Sequence, residues 1–139
     1  MKKILPLSIA AYGIVVILSC IIIFHFLVIA GLIPFNIVWG GNLTDKGQFY
    51  TMEAISIAVN ILMLSIILIY CGVIKSSFNR KYIIGAIWFM FLIFLLNTVG
   101  NLMAKNSLET YIFTPLTLML SIFCFRIAYF EHEQKKSIS

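Results

Sequence analysis

Four long apolar segments, separated by shorter polar connections, dominate the sequence. They cover about residues 7–30, 51–73, 82–103 and 107–130, and each is long enough for a membrane span, which needs roughly 20 residues. The connections after the second and third segments are short, so neighbouring helices should run antiparallel. The pattern therefore predicts a single domain over residues 1–139, an all-α integral membrane bundle of four transmembrane helices with up-down topology.

The basic residues indicate how this bundle is oriented. Of the ten basic residues, only Lys46 and Lys105 lie in the first and third connections. The other eight lie at the N-terminus, in the second connection and toward the C-terminus: Lys2, Lys3, Lys75, Arg80, Lys81, Arg126, Lys135 and Lys136. The positive-inside bias predicts that both termini are cytoplasmic. Arg126 lies about one turn from the cytoplasmic end of the fourth helix and is expected to snorkel to the headgroups.

Composition excludes several classes of protein. With 62% hydrophobic and 11% charged residues, the chain is too apolar for a water-soluble domain of its size. The net charge of +5 is scattered over three segments, so orientation and attraction to anionic lipid explain it, and no nucleic-acid partner is expected. The three cysteines have no C-x-x-C spacing, which gives no support to a dithiol relay. We expect a multi-pass protein of the bacterial cytoplasmic membrane.

The N-terminus allows two interpretations. Met1 and two lysines precede an apolar run that reaches Cys20, so the run could be a lipoprotein signal that is cleaved before Cys20. The apolar run continues to Ala30, however, and its total length is that of a transmembrane helix. An uncleaved first helix is therefore the favoured interpretation.

Glu53 is an acidic residue inside an apolar segment, near its predicted outer end. Ser56 and Asn60 follow at i+3 and i+7 and share its helical face. A carboxylate at membrane depth should face the bundle interior and mark a functional site. Alternatively, Glu53 is a solvated first-turn residue that complements the helix dipole. His25, at a matching level in the first segment, is its expected partner, because a histidine–carboxylate pair lowers the cost of burying both groups.

The third and fourth segments carry polar residues at a similar predicted depth. Asn97 and Asn101 lie four apart on one face, and Gly100 beside them should permit close backbone approach. Thr117 belongs to a polar row of the fourth segment. Interhelical hydrogen bonds, worth on average about 0.6 kcal/mol per pair in membranes, would explain any one of these residues. A shared pocket would explain their common depth.

Pro115 predicts a break in the fourth helix. Proline has no N–H to donate to the Tyr111 carbonyl, so a bend should begin close to it. Freed carbonyls at membrane depth are tolerated only against protein or a wet cavity. The bend could therefore be purely structural or could border the pocket.

Two short segments resemble sequences of a known kind of protein. Val38-Trp39-Gly40-Gly41-Asn42-Leu43 and Asn97-Thr98-Val99-Gly100-Asn101-Leu102 are similar to segments of small, uncharacterised four-span membrane proteins of bacteria. The resemblance implies a four-span membrane protein and no particular activity.

The sequence predicts a protein that binds a small ligand or ion in a polar pocket open to the extracytoplasmic side, with Trp39, Gly40 and Gly41 as a lid. The predicted ligand-binding residues are His25, Trp39, Glu53, Asn60, Asn97, Asn101 and Thr117. Two of these are candidate metal ligands, too few for a metal site. We therefore expect no metal and no cofactor. The sequence also contains no recognisable nucleophile, so we expect no catalytic residue.

The alternative is a non-catalytic accessory or immunity-type membrane protein. Its polar residues would only hold the bundle together, and its outer loop, residues 32–50, would contact a partner. Membrane lipid is an expected partner in either case. A second copy of the chain or another membrane protein could also be needed to cover Glu53.

Overall fold

The computed structural model describes residues 5–34, 45–104, 107 and 109–138, and these form helices without any strand. The helices are α1 (Leu7–Ile29), α2 (Lys46–Tyr70), α3 (Arg80–Leu102) and α4 (Thr114–Ile138), and a π-helical turn (Glu109–Phe113) directly precedes α4. Among the described residues, four helical stretches are long and apolar enough to cross a membrane. The described part of the chain is therefore all-helical, and its four candidate spans indicate a multi-pass membrane protein, as the hydropathy pattern predicted.

Side-chain caps determine where α2 and α3 begin. The Asp45 carboxylate accepts a hydrogen bond from the Gln48 backbone N–H at 3.0 Å, and the Asn79 side chain accepts one from the Lys81 backbone N–H at 2.9 Å. Such caps satisfy N–H groups that have no partner within the helix. Because of its cap, α2 begins at Lys46, earlier than the predicted residue 51. Glu53 consequently lies about two turns inside the helix, which contradicts the first-turn interpretation.

Glycines with positive φ end α1 and α2. Gly31 has φ 74° and Gly72 has φ 75°, a conformation that glycine adopts without steric cost. After each helix a backbone N–H reaches back five residues, from Leu32 to the Leu27 carbonyl at 3.0 Å and from Val73 to the Leu68 carbonyl at 2.9 Å. This is the Schellman arrangement. It ends α1 where the sequence predicted and ends α2 slightly before the predicted residue 73.

The fourth helix departs from α-helical geometry immediately before Pro115. The π-helical turn Glu109–Phe113 lies at this point, and a π-helix pairs each carbonyl with the N–H five residues later. That register suits the proline, which cannot donate to the carbonyl four residues before it. The position of the irregularity agrees with the sequence analysis, whereas the bend itself stays a prediction. Beyond it, α4 continues to Ile138, past the predicted end of the fourth helix at about residue 130.

Packing between the helices is unequal. The contact between α3 and α4 is the most extensive, α1 packs against α2 and α4, and the contact between α2 and α3 is the least extensive of these four. The fully buried side chains of the core come from all four helices and include Ile14, Leu18, Ile67, Ile87, Met90, Leu120 and Ile127. Gly13 allows α1 to approach α4, because a Cβ at this position would collide with the Phe123 ring. The weak contact between α2 and α3 leaves a gap on one side of the bundle.

An ionic cluster joins three helices at the end of the bundle that lies away from Glu53. Arg80 donates to both carboxylate oxygens of Glu131, from Nη2 at 2.6 Å and from Nε at 3.1 Å. The Tyr70 hydroxyl donates to the same carboxylate at 3.2 Å, and the Arg80 guanidinium lies 5.0 Å from the Tyr70 ring centroid. The end of α2, the start of α3 and the last part of α4 are thereby tied together, which helps to explain why α4 continues through residue 131.

Arg126 does not extend to the surface as the sequence analysis expected. It is only 6% exposed, its Nε donates to the Leu5 carbonyl at 2.9 Å, and its guanidinium lies 5.3 Å from the Phe130 ring centroid. A guanidinium binds carbonyls and aromatic faces well when it leaves water. The prediction of a snorkelling side chain was therefore wrong, because Leu5, just before α1, lies against this part of α4.

Candidate functional site

A buried acid–base pair joins α1 and α2. A hydrogen bond of 2.7 Å connects His25 Nδ1 and Glu53 Oε2. The Glu53 side chain is only 1% exposed and that of His25 15% exposed. Burial of a single carboxylate at membrane depth is costly, and a hydrogen-bonded partner offsets that cost. The structure thus confirms the contact that the sequence predicted, and it shows that Glu53 faces the bundle interior.

This pair lies in the wall of a cleft of about 620 Å³. The cleft occupies the gap between α2 and α3, and α1 and the start of α4 close its inner side. Its polar lining consists of His25, Glu53, Ser56, Asn60, Asn97, Asn101 and Thr117. All the predicted ligand-binding residues except Trp39 are therefore brought together around one volume. Trp39 and the two glycines of the predicted lid lie outside the described residues.

The three asparagines leave hydrogen-bonding capacity toward this cleft. Asn60 Nδ2 donates to the Ser56 carbonyl of its own helix at 2.8 Å, and Asn101 Nδ2 donates to Thr117 Oγ1 at 3.4 Å. Asn97 is exposed, and its side chain forms no hydrogen bond within the described part of the chain. A carboxamide offers two donors and an accepting oxygen. The cleft therefore presents neutral groups that could bind a polar ligand.

Thr117 has a second role, because its hydroxyl connects α3 to α4. Thr98 Oγ1 and Thr117 Oγ1 lie 3.0 Å apart, and both residues are 6% exposed. Thr117 also donates to the Phe113 carbonyl at 2.9 Å. At Thr117 the helix-packing interpretation is thus supported by direct contacts. Thr98, which the sequence analysis left out of the pocket, lies behind Thr117 and positions it.

The sequence analysis missed the apolar wall of the cleft. Phe24 packs edge-to-face against Phe113, with ring centroids 5.0 Å apart, and its ring lies 5.9 Å from that of His25. Ile21 and Phe94 extend this wall away from the pair. The chain contains 12 phenylalanines, so residue type alone could not identify these. Only helical position could have identified a wall residue: Ile21 precedes His25 by one helical turn and therefore lies on the same face of α1.

Gly100 has a different role from the one expected. A Cβ at this position would meet no atom within 4 Å, and the residue borders the cleft. Close approach between α3 and another helix is therefore not the reason for a glycine here. Instead, the missing side chain leaves the mouth of the cleft wider than any other residue would.

Within the described ranges, no third histidine, cysteine, aspartate or glutamate joins His25 and Glu53 to form a metal-binding group. No protein-family model, curated protein or solved structure matches this chain. The resemblance of residues 38–43 and 97–102 to four-span bacterial proteins supplies no activity. The function must therefore be inferred from the chemistry of the cleft.

Proposed function

We propose that this protein is an up-down four-helix bundle of the bacterial cytoplasmic membrane, with both termini in the cytoplasm. Two contacts support antiparallel neighbours. His25 near the end of α1 meets Glu53 near the start of α2, and Tyr70 at the end of α2 meets Arg80 at the start of α3. Together with the distribution of basic residues, these contacts support a cytoplasmic position for the cluster around Arg80 and an outer position for the cleft.

We further propose that the cleft binds a small molecule. The observation that carries this proposal is the buried Glu53–His25 pair in the wall of an open volume that three asparagines also line. A carboxylate in a membrane span costs on the order of 2.5 kcal/mol or more at the bilayer centre and less toward the interface, and a bundle that needed only packing could place an apolar residue there. Ionisable groups retained within a membrane span mark functional sites by default.

The size of the cleft favours a molecule over a bare ion. Its volume of about 620 Å³ falls in the range of small-molecule sites, about 300–1,000 Å³. One water molecule has a share of about 30 Å³ in the liquid, so an ion with a few waters would leave most of the cleft unfilled. The described residues also lack the three or four histidine, cysteine, aspartate or glutamate ligands of a zinc-type site.

Native mass spectrometry of the protein released from detergent micelles tests this proposal. We expect a bound mass on the wild-type protein and a lower occupancy on Glu53→Gln, because the neutral amide is a weaker acceptor than a carboxylate. Glu131→Gln is the matched control, since it makes the same substitution at the opposite end of the bundle and should retain the bound mass. A wild-type protein without any bound mass, or an equal loss in both variants, would contradict the proposal.

A second candidate function is that of a non-catalytic accessory protein, and the exposed Asn97 favours it. This amide has no partner among the described residues, and in a membrane it could bond to another helix. A second copy or a partner protein would then cover the gap between α2 and α3. In that case Asn97→Leu should abolish an association seen by cross-linking in the membrane, and Glu53→Gln should leave that association unchanged.

A further inference from the structure

The cleft opens sideways between two helices that would cross the membrane. Ile55 is 52% exposed and Val59 is 40% exposed on the α2 side of its mouth, and Asn97 and Gly100 are exposed on the α3 side. All four lie inside the candidate spans Lys46–Tyr70 and Arg80–Leu102. At the level of Ile55 and Val59, more than two turns inside α2, a bilayer presents hydrocarbon, because the core is roughly 30 Å thick. A molecule could therefore reach the cleft from the lipid phase without crossing water.

The lining combines a long apolar surface with neutral polar groups. Along α3 the lining residues run from Phe94 to Asn101, a distance of about 10 Å at 1.5 Å per residue, and Met103 and Ala104 continue the lining just beyond the helix. Ile21, Phe24 and Phe94 supply aliphatic and aromatic contacts, and the amides of α2 and α3 line the same cleft. A compact polar solute would leave these apolar side chains uncovered. A ligand with a hydrocarbon part and a hydrogen-bonding head would cover both kinds of surface.

Among the described residues, the charges around the cleft do not suit an ionic head group. The described lining contains no lysine or arginine, the residues that bind phosphate and carboxylate groups most strongly. Its carboxylate, Glu53, already bonds to His25 at 2.7 Å, so a cationic head would have to compete for it. The remaining polar groups are carboxamides and hydroxyls, which match a carbonyl or hydroxyl group of a ligand.

We infer that the ligand is an uncharged membrane amphiphile, with a hydrocarbon part and a carbonyl- or hydroxyl-bearing head, that enters between α2 and α3. This inference rests on the proposed ligand-binding function. The head would bond to Asn60, Asn97 and Asn101, and the hydrocarbon part would lie against Phe24 and Phe94. Gly100, as part of the mouth, would leave the passage open.

The test compares two photoreactive lipids in phosphatidylcholine vesicles that contain the full-length protein. One is a diacylglycerol with a diazirine in an acyl chain, and the other is the phosphatidic acid with the same chains. We expect the diacylglycerol to label peptides of α2 and α3 about tenfold more than the phosphatidic acid does, which corresponds to about 1.4 kcal/mol. Equal labelling by both lipids, or stronger labelling by the phosphatidic acid, would contradict the inference that the ligand has an uncharged head group.

Two matched pairs of variants test the lateral entrance. Gly100→Phe should fill the mouth and reduce diacylglycerol labelling of the cleft about tenfold, whereas Gly85→Phe should not, because it lies on the same helix in equally open space and outside the lining. Val59→Trp should obstruct the mouth from α2, and Ile61→Trp, at an exposed position outside the lining, is its control. Unchanged labelling in both Gly100→Phe and Val59→Trp would contradict the inference that the ligand enters between α2 and α3.

These outcomes separate the inference from the proposed function. If native mass spectrometry detects a bound mass that depends on Glu53 but diacylglycerol does not label the cleft, the amphiphile is excluded and the ligand-binding function stands. If neither a bound mass nor labelling is found, both proposals fail.

Discussion

The energetic coupling between His25 and Glu53 can be measured with a double-mutant cycle. The variants are His25→Leu, Glu53→Leu and the protein that carries both substitutions. Each single substitution removes the hydrogen bond of 2.7 Å and leaves the other group without that partner. The double substitution removes both polar groups at once, next to the apolar side chains of Phe24 and Phe113. Replacement of a buried pair by apolar residues is often neutral or stabilising, whereas removal of one member is costly.

The burial of the pair sets the expected magnitude. Polar contacts between membrane helices average about 0.6 kcal/mol in such cycles. Hydrogen bonds to charged groups contribute about 1.5–3 kcal/mol. Glu53 is 1% exposed, so water cannot easily replace its partner, and we expect a coupling free energy of about 2 kcal/mol. Glu53→Leu alone should destabilise the protein, and addition of His25→Leu should restore most of the loss.

Reversible unfolding in mixed micelles, followed by circular dichroism, supplies the free energies for the cycle. The control cycle combines His25→Leu with Ser65→Ala. Ser65 lies on the same helix as Glu53, about 18 Å further along its axis, and its hydroxyl bonds to the Ile61 carbonyl of α2 itself. This control should show no coupling. A His25–Glu53 coupling below about 0.5 kcal/mol would refute the reasoning, because an ordinary membrane polar contact provides as much.

Three further predictions follow from the topology and packing. In a cysteine-free background, a cysteine at Ser139 should resist an external membrane-impermeant reagent and one at Asp45 should react; external labelling at Ser139 would contradict the assigned orientation. Gly13→Val should lower the unfolding free energy by about 1–3 kcal/mol through overpacking, whereas Gly85→Val, which meets no atom within 4 Å, should not. Arg126→Met should cost about 1–3 kcal/mol in the same assay by leaving a carbonyl unsatisfied; an unchanged stability would indicate a solvated side chain.

The sequence by itself determined the approximate positions of the four helices and many of the polar residues that line the cleft. Span length and hydropathy are local properties, so four membrane helices could be predicted without knowledge of any contact. Gly31 lies two residues after the last residue of α1, and glycine is the residue that most readily takes the positive φ that ends a helix. Helical periodicity also placed Glu53 and Asn60 on one face. Matching depth in two segments was enough to pair Glu53 with His25.

Only the tertiary structure decided which of these polar groups face an open volume and which hold helices together. Thr117 bonds to Thr98, whereas Asn97 lies at the mouth of the cleft, although both had been assigned to the same pocket. Likewise, the burial of Arg126 depends on the chain segment before α1, and the open space at Gly100 depends on the weak contact between α2 and α3. These helices are apolar nearly all round, and lipid tails are as apolar as leucine side chains. The hydrophobic pattern therefore does not distinguish a lipid-facing surface from a buried one, and neighbouring helices must be placed before a gap between them can be recognised.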